Sequence, residues 1–404
     1  MPIRRESGQR SEELDIVGRL LVTDVSRSWR SGACAGALLL ALCVPAAAED
    51  KLLQEVVNFT GGVLFVQSKV PALVLGAIRD GETAVAGFGE IADGSNEAPD
   101  GDTLMRIGSV TKVFTGTVLA SMVADGTVRL TDPLQHHLDW GVTVPARGQH
   151  VIRLIDLATH TSGLPREVAR EPGPKDDPFK TLTEDAYVKA LAADPLLFPP
   201  GTGALYSNFA FDVLAAALGD AAGQPYAKVL KERVLDPIGL EDTVFELNSG
   251  DEQRLMQGHD FDGSPLPNVP ATPVMAGASS LYSTANDILK WLAWHMDRFS
   301  PADAEMRLVD HAAYVFRDEL DPVYGLDESG HMDALALGWI VMTAEGSRPL
   351  ILQKAGGLQG IFVYCAFSPA KKVGAFAAIN AFDVAAAMTM ASTVNELIAS
   401  IAPR

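Results

Sequence analysis

Along this chain the spacing of apolar residues changes twice, from strand-like to helical and back. The segment ALVLGAIRDGETAVAGFGE, residues 72–90, is two apolar runs around Asp80-Gly81, a strong short-range signal for a β-hairpin. From about Ser109 to Trp294 the pattern is helical, broken by Pro/Gly punctuation such as FPPGTG and DPIGLEDT. Thr284-Ala285-Asn286-Asp287 reads as a Thr/Asp variant of the capping box ahead of ILKWLAWHM. Strand character then returns in ALGWIVMTA, PLILQKAG, GIFVYCAFS and VGAFAAIN, spaced as an antiparallel meander, and Asp383 caps a last helix to about Ser400. The predicted class is α/β in the α+β sense: one antiparallel sheet built from the N- and C-terminal segments, with flanking helices and an inserted, mostly helical domain. No internal repeat is visible.

The first residues do not belong to that pattern. Arg27 and Arg30 precede an apolar run from Ala33 to Val44, and Ala46-Ala47-Ala48 forms a small-residue cleavage site before Glu49, which together read as an export signal. A run of 12 residues is too short to span a bilayer. The polar residues ahead of it are no ordinary signal start, which places the expected start codon near Val22 or Val25. Bulky Leu42 before Cys43 argues against a lipoprotein signal. The expected boundaries are a leader over 1–48 and a mature domain over 49–404, its sheet part about 49–100 and 330–404 and its helical part about 101–329.

Charge and cysteine content narrow the function classes. Without the leader the net charge is −20, so nucleic acid is a poor partner and any anion site must be built from a few placed cations. Only Cys365 remains, which excludes an internal disulfide, and a core of this size needs none. The reading expects no transmembrane segment after signal cleavage.

Three hydrolase devices are missing from the text: a metal-binding H-E-x-x-H or H-x-H among the eight histidines, a G-x-S-x-G elbow, and a Gly-rich phosphate loop. No metal or other cofactor is expected. What remains is RIGSVTKVFTGTVLASMV, where Ser109 opens an apolar helix and Lys112 follows one turn later on the same face. An amine there can take up or orient the hydroxyl proton, and the helix N-terminus favours the charge that develops on attack. Alone, the pair fits a helix cap and a solvated lysine equally well, and the chain carries a decoy S-x-x-K at Ser368–Lys371 in a predicted hairpin turn. Tyr206-Ser207-Asn208 follows FPPGTG and would stand at the rim of the helical domain. Its phenol becomes a useful base only where cations such as Lys112 and Lys354 stabilise the phenolate. Lys354-Ala355-Gly356-Gly357 opens a strand with a charge and then sheds its side chains, as an edge strand with a solvated lysine does, or as a strand approached by a ligand or another backbone.

S-V-T-K, Y-S-N and K-A-G, separated by 97 and 148 residues, resemble the three motifs of the serine β-lactamase and penicillin-binding-protein superfamily in its class C-like branch. ATHTSGLPRE, YSNFAFDVLAAALG, LDPIGLEDTVF and QKAGG extend the likeness over nearly the whole mature chain, toward D-alanyl-D-alanine carboxypeptidase/endopeptidases rather than true class C β-lactamases. The resemblance implies a β-lactamase-like fold and a periplasmic serine peptidase acting on peptidoglycan stem peptides and acylated by β-lactams. It makes Ser109 the nucleophile, Lys112 its activator and Tyr206 the general base. Asn208, Lys354, Ala355 and Gly356 fall in the substrate-binding positions, and the N–H groups of Ser109 and Gly357 in the oxyanion hole, where a side chain would crowd the acyl group. Ala355 departs from the usual Thr, whose hydroxyl binds the substrate carboxylate. That loss leaves open a class C-like esterase or weak β-lactamase, or a non-catalytic muropeptide or β-lactam binder. His160, Trp291, Trp294, Trp339 and the pair His136-His137 read as structure, and Arg166 and Glu167 as neighbours of the cleft.

Overall fold

The computed structural model describes residues 51–403, and the leader with its cleavage site lies outside them. Eight antiparallel strands form the central sheet: β1 (Ala72–Arg79), β2 (Glu82–Gly89), β3 (Val315–Phe316), β4 (Ala334–Leu335), β5 (Ile340–Met342), β6 (Ile351–Leu358), β7 (Ile361–Ser368) and β8 (Val373–Ile379). Their order is β2-β1-β8-β7-β6-β5-β4-β3, so the first hairpin joins the C-terminal meander through β1 and β8, with Leu73 opposite Ile379 and Arg79 opposite Val373. Asp80 and Gly81 turn the first hairpin with φ of 50° and 93°, the left-handed pair that matches the twist of the strands.

Strands β1 and β8 are almost continuously apolar because both faces of the sheet are covered. On one face lie α1 (Lys51–Ser68) and α6 (Val384–Ile401). Leu53, Val57, Gly61 and Leu64 recur along one side of α1, and Gly61 leaves room for the ring of Phe88. Asp383 caps α6 by accepting the amide of Ala386. Helix α6 is long and apolar enough to meet a membrane-span test by length and composition, and its apolar face, including Met390, Val394 and Leu397, packs in the core on that side of the sheet. The opposite face carries the helical part, centred on α2 (Thr111–Ala124) and bordered by α3 (Asn208–Ala222), α4 (Ala285–Met296) and α5 (Ala304–His311). Thr284 caps α4 through the amide of Asp287, as the sequence predicts.

Two expectations change. ALGWIVMTA is a strand only over β5: its first residues turn back from β4 at Gly338, whose φ is +80° and whose missing side chain admits the backbone of Lys112 and Val113 on α2. Lys354 is not on a solvated edge strand either. β6 lies inside the sheet, paired along its length with β7, but β5 covers only Ile351–Gln353 on its other side. From Lys354 to Leu358 that second side has no strand partner among the described residues, and the turn holding Ser109 packs against the helical face of this stretch at Gly356.

Candidate active site

Ser109 sits in a short 3-10 turn, Gly108–Val110, that runs directly into α2. Val110 is the residue in the capping position and makes no side-chain cap, so Ser109 is not spent on capping. Gly108 has φ +48°, and a Cβ there would lie 2.6 Å from the amide nitrogen of Gly357. A Cβ on Gly356 would lie 2.2 Å from the carbonyl oxygen of Ile107 and 2.9 Å from the amide nitrogen of Ser109. Gly356 therefore lets the backbone of the serine turn close on the strand, while a Cβ on Gly357 would lie 2.7 Å from the ring of Phe362.

Lys112 is fully buried, which removes the solvated-lysine reading. Its Nζ stands 3.1 Å from Ser109 Oγ, 2.5 Å from Asn208 Oδ1 and 2.9 Å from the carbonyl oxygen of Ala278. Burial, and then the nearby charge of Lys354, hold its pKa well below the ordinary lysine range. A neutral amine has two hydrogens and one lone pair. The charged amine donates to all three oxygens; once deprotonated, it keeps its two hydrogens on Asn208 and Ala278 and turns its lone pair to the Ser109 hydroxyl.

The TSGLPRE loop holds Tyr206-Ser207-Asn208 in place. His160 Nδ1 accepts the amide of Ser207, Ser207 Oγ donates to the carbonyl of Pro165, and the carbonyl of Arg166 accepts the amide of Asn208. The His160 ring stacks on Tyr206 with centroids 4.6 Å apart, and burial keeps its pKa well below the usual value. Ser207 caps α3 by accepting the amide of Ala210, and Asn208, the first helical residue, donates to Glu167. Three basic side chains surround the Tyr206 ring: Lys354 Nζ at 4.5 Å, Arg166 at 4.8 Å and Lys112 Nζ at 5.0 Å from its centre. Burial nonetheless outweighs them and pushes the phenol up, while its hydrogen bond with Ser109 pulls the other way, so the resting side chain is a neutral phenol. Lys354 Nζ donates to the Tyr206 oxygen at 3.4 Å, and burial lowers its pKa to about 7 against the raising effect of Glu328.

Lys354 and Gly356 point to the helical face of the sheet, and Ala355 alternates to the other, opposite Tyr364, where it is half-buried. Ser109, Lys112, Tyr206, Asn208 and Lys354 form one cluster, with Gly356 and Gly357 on the strand beside it. The decoy runs from Ser368, the buried last residue of β7, into the turn after it, where Lys371 donates to the carbonyl of Pro403. Trp291 and Trp339 are core residues, while Trp294 is half-buried and donates to Asp303. His137 pairs with Asp132 at the end of a short 3-10 turn.

Asp212 escaped the sequence reading. Its Oδ2 accepts from Tyr187 Oη at 2.5 Å and its Oδ1 from the amide of Ala278 at 3.0 Å, so it holds the segment that bonds Lys112, and burial raises its pKa to about 7. The signal was present: it is the one acid in FAFDVLAAAL, a helical turn after Asn208. A cavity of about 770 Å³ opens on another side of α3, bordered by Asp212 and Tyr226 but by none of Ser109, Lys112, Tyr206 or Lys354.

A serine, two buried lysines and a tyrosine between this antiparallel sheet and the helices on one of its faces define a serine hydrolase of the β-lactamase type. The β-lactamase family model matches residues 47–399, and the chain belongs to that family. It is 32% identical over 374 residues to the D-alanyl-D-alanine-carboxypeptidase/endopeptidase AmpH of Escherichia coli K12, covering 91% of this chain and 94% of that protein. The crystal structure of a β-lactamase/D-alanine carboxypeptidase from Yersinia pestis, complexed with citrate, superposes with a TM-score of 0.79 at 34% identity, over 88% of this chain and 99% of the other. A class C β-lactamase shares the fold at a TM-score of 0.73 and 16% identity, over 89% and 99% of the two chains.

Proposed function

We propose that this chain is an exported, periplasmic D-alanyl-D-alanine peptidase that cleaves peptidoglycan stem peptides, and is acylated by penicillins, through an ester on Ser109. The observation that carries the reading is the contact of 3.1 Å between Ser109 Oγ and a fully buried Lys112 whose hydrogens have acceptors elsewhere. The leader sequence supports export, and the likeness to AmpH supports the substrate class.

In this mechanism Ser109 Oγ attacks the carbonyl of the penultimate D-alanine while its proton passes to Lys112 Nζ. The amides of Ser109 and Gly357 stabilise the oxyanion. Tyr206 relays the proton from Lys112 to the departing D-alanine nitrogen, and the C–N bond breaks as the acyl-enzyme forms. Water then attacks the ester, gives its proton back through the same groups, and releases Ser109 with the shortened peptide. Asn208 orients the substrate amide, and charged Lys354 attracts the terminal carboxylate. The unpaired side of β6 from Lys354 to Leu358 receives the extended peptide backbone as an added strand.

Ala355 favours one second reading, an esterase acting on substrates without a carboxylate, because position 355 offers no hydroxyl to bind one. Fluorescent-penicillin labelling, combined with D-alanine release from a D-Ala-D-Ala pentapeptide, tests the proposal. Labelling and release that both disappear in Ser109→Ala support it. Ester hydrolysis without either selects the esterase.

A further inference from the structure

Away from the serine cluster, His295 on α4 and Asp310 and His311 on α5 converge in the interior, with His295 and Asp310 fully buried. His295 Nδ1 is 2.8 Å from His311 Nε2 and 3.6 Å from Asp310 Oδ2, and His311 Nε2 is 4.0 Å from the same carboxylate oxygen. All three separations use one atom of each residue. The point equidistant from those atoms lies about 2.1 Å from each, within the range of zinc–nitrogen and zinc–oxygen bonds.

Two further observations point to a cation. Asp310 Oδ1 is buried without a hydrogen bond of standard geometry, the indole of Trp339 being the donor near the carboxyl, and among the described residues the ion pairs of Asp310 go only to the two histidines. A buried carboxylate without a cationic partner is costly, and a divalent ion bound through one or both oxygens removes that cost. His295 is in the last turn of α4, and Asp310 and His311 end α5, so two helix C-termini bring their partial negative charge to the same place. An aspartate at a helix C-terminus is unfavourable by itself and favourable beside a metal ion.

We propose that His295, Asp310 and His311 form a structural site for a divalent transition metal, zinc by its ligand set, that clamps α4 to α5. Thr117 on α2 donates to Asp310 Oδ2 at 3.1 Å and ties the clamp to the helix that follows Ser109. The rings of Trp291, Trp339 and Phe367 close around His295 and keep water out. His311, which keeps some exposure, is the side from which an ion enters. A search by spacing misses the group because His295 is separated from Asp310-His311 by a loop and a second helix.

The test is direct titration of the purified full mature chain, stripped with chelator, using zinc chloride and then cobalt chloride. The expected result is one zinc per chain by elemental analysis, a higher unfolding temperature with zinc, and the visible absorption of low-coordinate cobalt. His311→Ala and Asp310→Asn should each lose all three responses. Penicillin labelling of Ser109 should persist in the chelated protein, so this result stands or falls apart from the proposed function. Absence of zinc binding in the wild-type chain overturns the site. So does equal binding by wild type and both variants, which would place the ion on surface carboxylates. If the variants do not fold, the wild-type titration and its cobalt spectrum decide alone.

Discussion

The carbonyl oxygen of Ala278 accepts a hydrogen bond from Lys112 Nζ at 2.9 Å, and the amide of the same residue donates to Asp212 at 3.0 Å. Asp212 thus positions the group that takes one of the lysine's hydrogens, and its negative charge raises the Lys112 pKa against burial. Asp212→Asn keeps the volume, misplaces one hydrogen bond and removes the charge. It should lower kcat about tenfold, as loss of roughly 1–2 kcal/mol of positioning implies, with KM little changed. The acid limb of kcat/KM should also move to lower pH, because Lys112 then deprotonates more easily. A fall in stability with that limb unmoved would leave Asp212 a purely structural residue.

Ser109→Ala should abolish penicillin labelling and hydrolysis with little change in unfolding temperature, since Ser109 caps no helix. Lys112→Arg tests the base. Guanidinium stays protonated and cannot accept the serine proton, so acylation should fall by roughly 10²–10⁴-fold. Near-normal acylation by the arginine variant, measured by stopped flow, would remove Lys112 from that role.

Tyr206→Phe preserves the stack on His160 and the ring among Lys112, Arg166 and Lys354 while deleting the hydroxyl. Because the resting phenol is neutral, the loss is that of a relay, and kcat should drop by roughly 10²–10⁴-fold with an intact fold by circular dichroism. A rate within a few-fold of wild type would mean that Lys112 passes its proton to the leaving group without help.

Lys354 sets a pH dependence. With a pKa lowered to about 7, its amine is charged below that pH and neutral above it. For a substrate with a terminal carboxylate, kcat/KM should decline as pH rises through about 7 and level off roughly ten- to a hundredfold lower, the value of one charge-assisted hydrogen bond. The methyl ester of the same substrate should lack this limb. An identical limb for both would show that Lys354 does not meet the carboxylate.

Ala355→Thr adds a hydroxyl on the half-buried face of β6 away from Lys354. Because Lys354 on the opposite face attracts the carboxylate, a rise of about ten- to a hundredfold in kcat/KM for the acid alone, with no gain for the methyl ester, requires the carboxylate to bridge the open edge of β6 between the two residues. An equal change for acid and ester would favour the esterase reading.

The sequence alone determined the order of elements wherever local chemistry decides them. Asp80-Gly81 needs a left-handed turn, Thr284 and Asp383 need helix starts behind them, and the apolar runs of 351–379 need a sheet covered on both faces. The serine, tyrosine and lysine motifs were legible for a similar reason: each is a short run whose order along the chain is itself the signal. Helix α1 was legible in principle, since Leu53, Val57 and Leu64 share one face, but the glycine pair within it masks the pattern. Only the tertiary structure decided what depends on residues far apart in the chain. It buried Lys112 and Lys354, which selects their neutral or weakly charged forms, because desolvation is a property of the assembled core. It decided between ligand and backbone at Gly356, which seats the backbone of Ile107 and Ser109, and shortened one predicted strand to the residues after Gly338, where α2 crosses. It also joined Asp212 to Ala278 and His295 to Asp310 and His311, pairings that no periodicity encodes, because they arise where helices with unrelated sequence spacing meet across a packed interface.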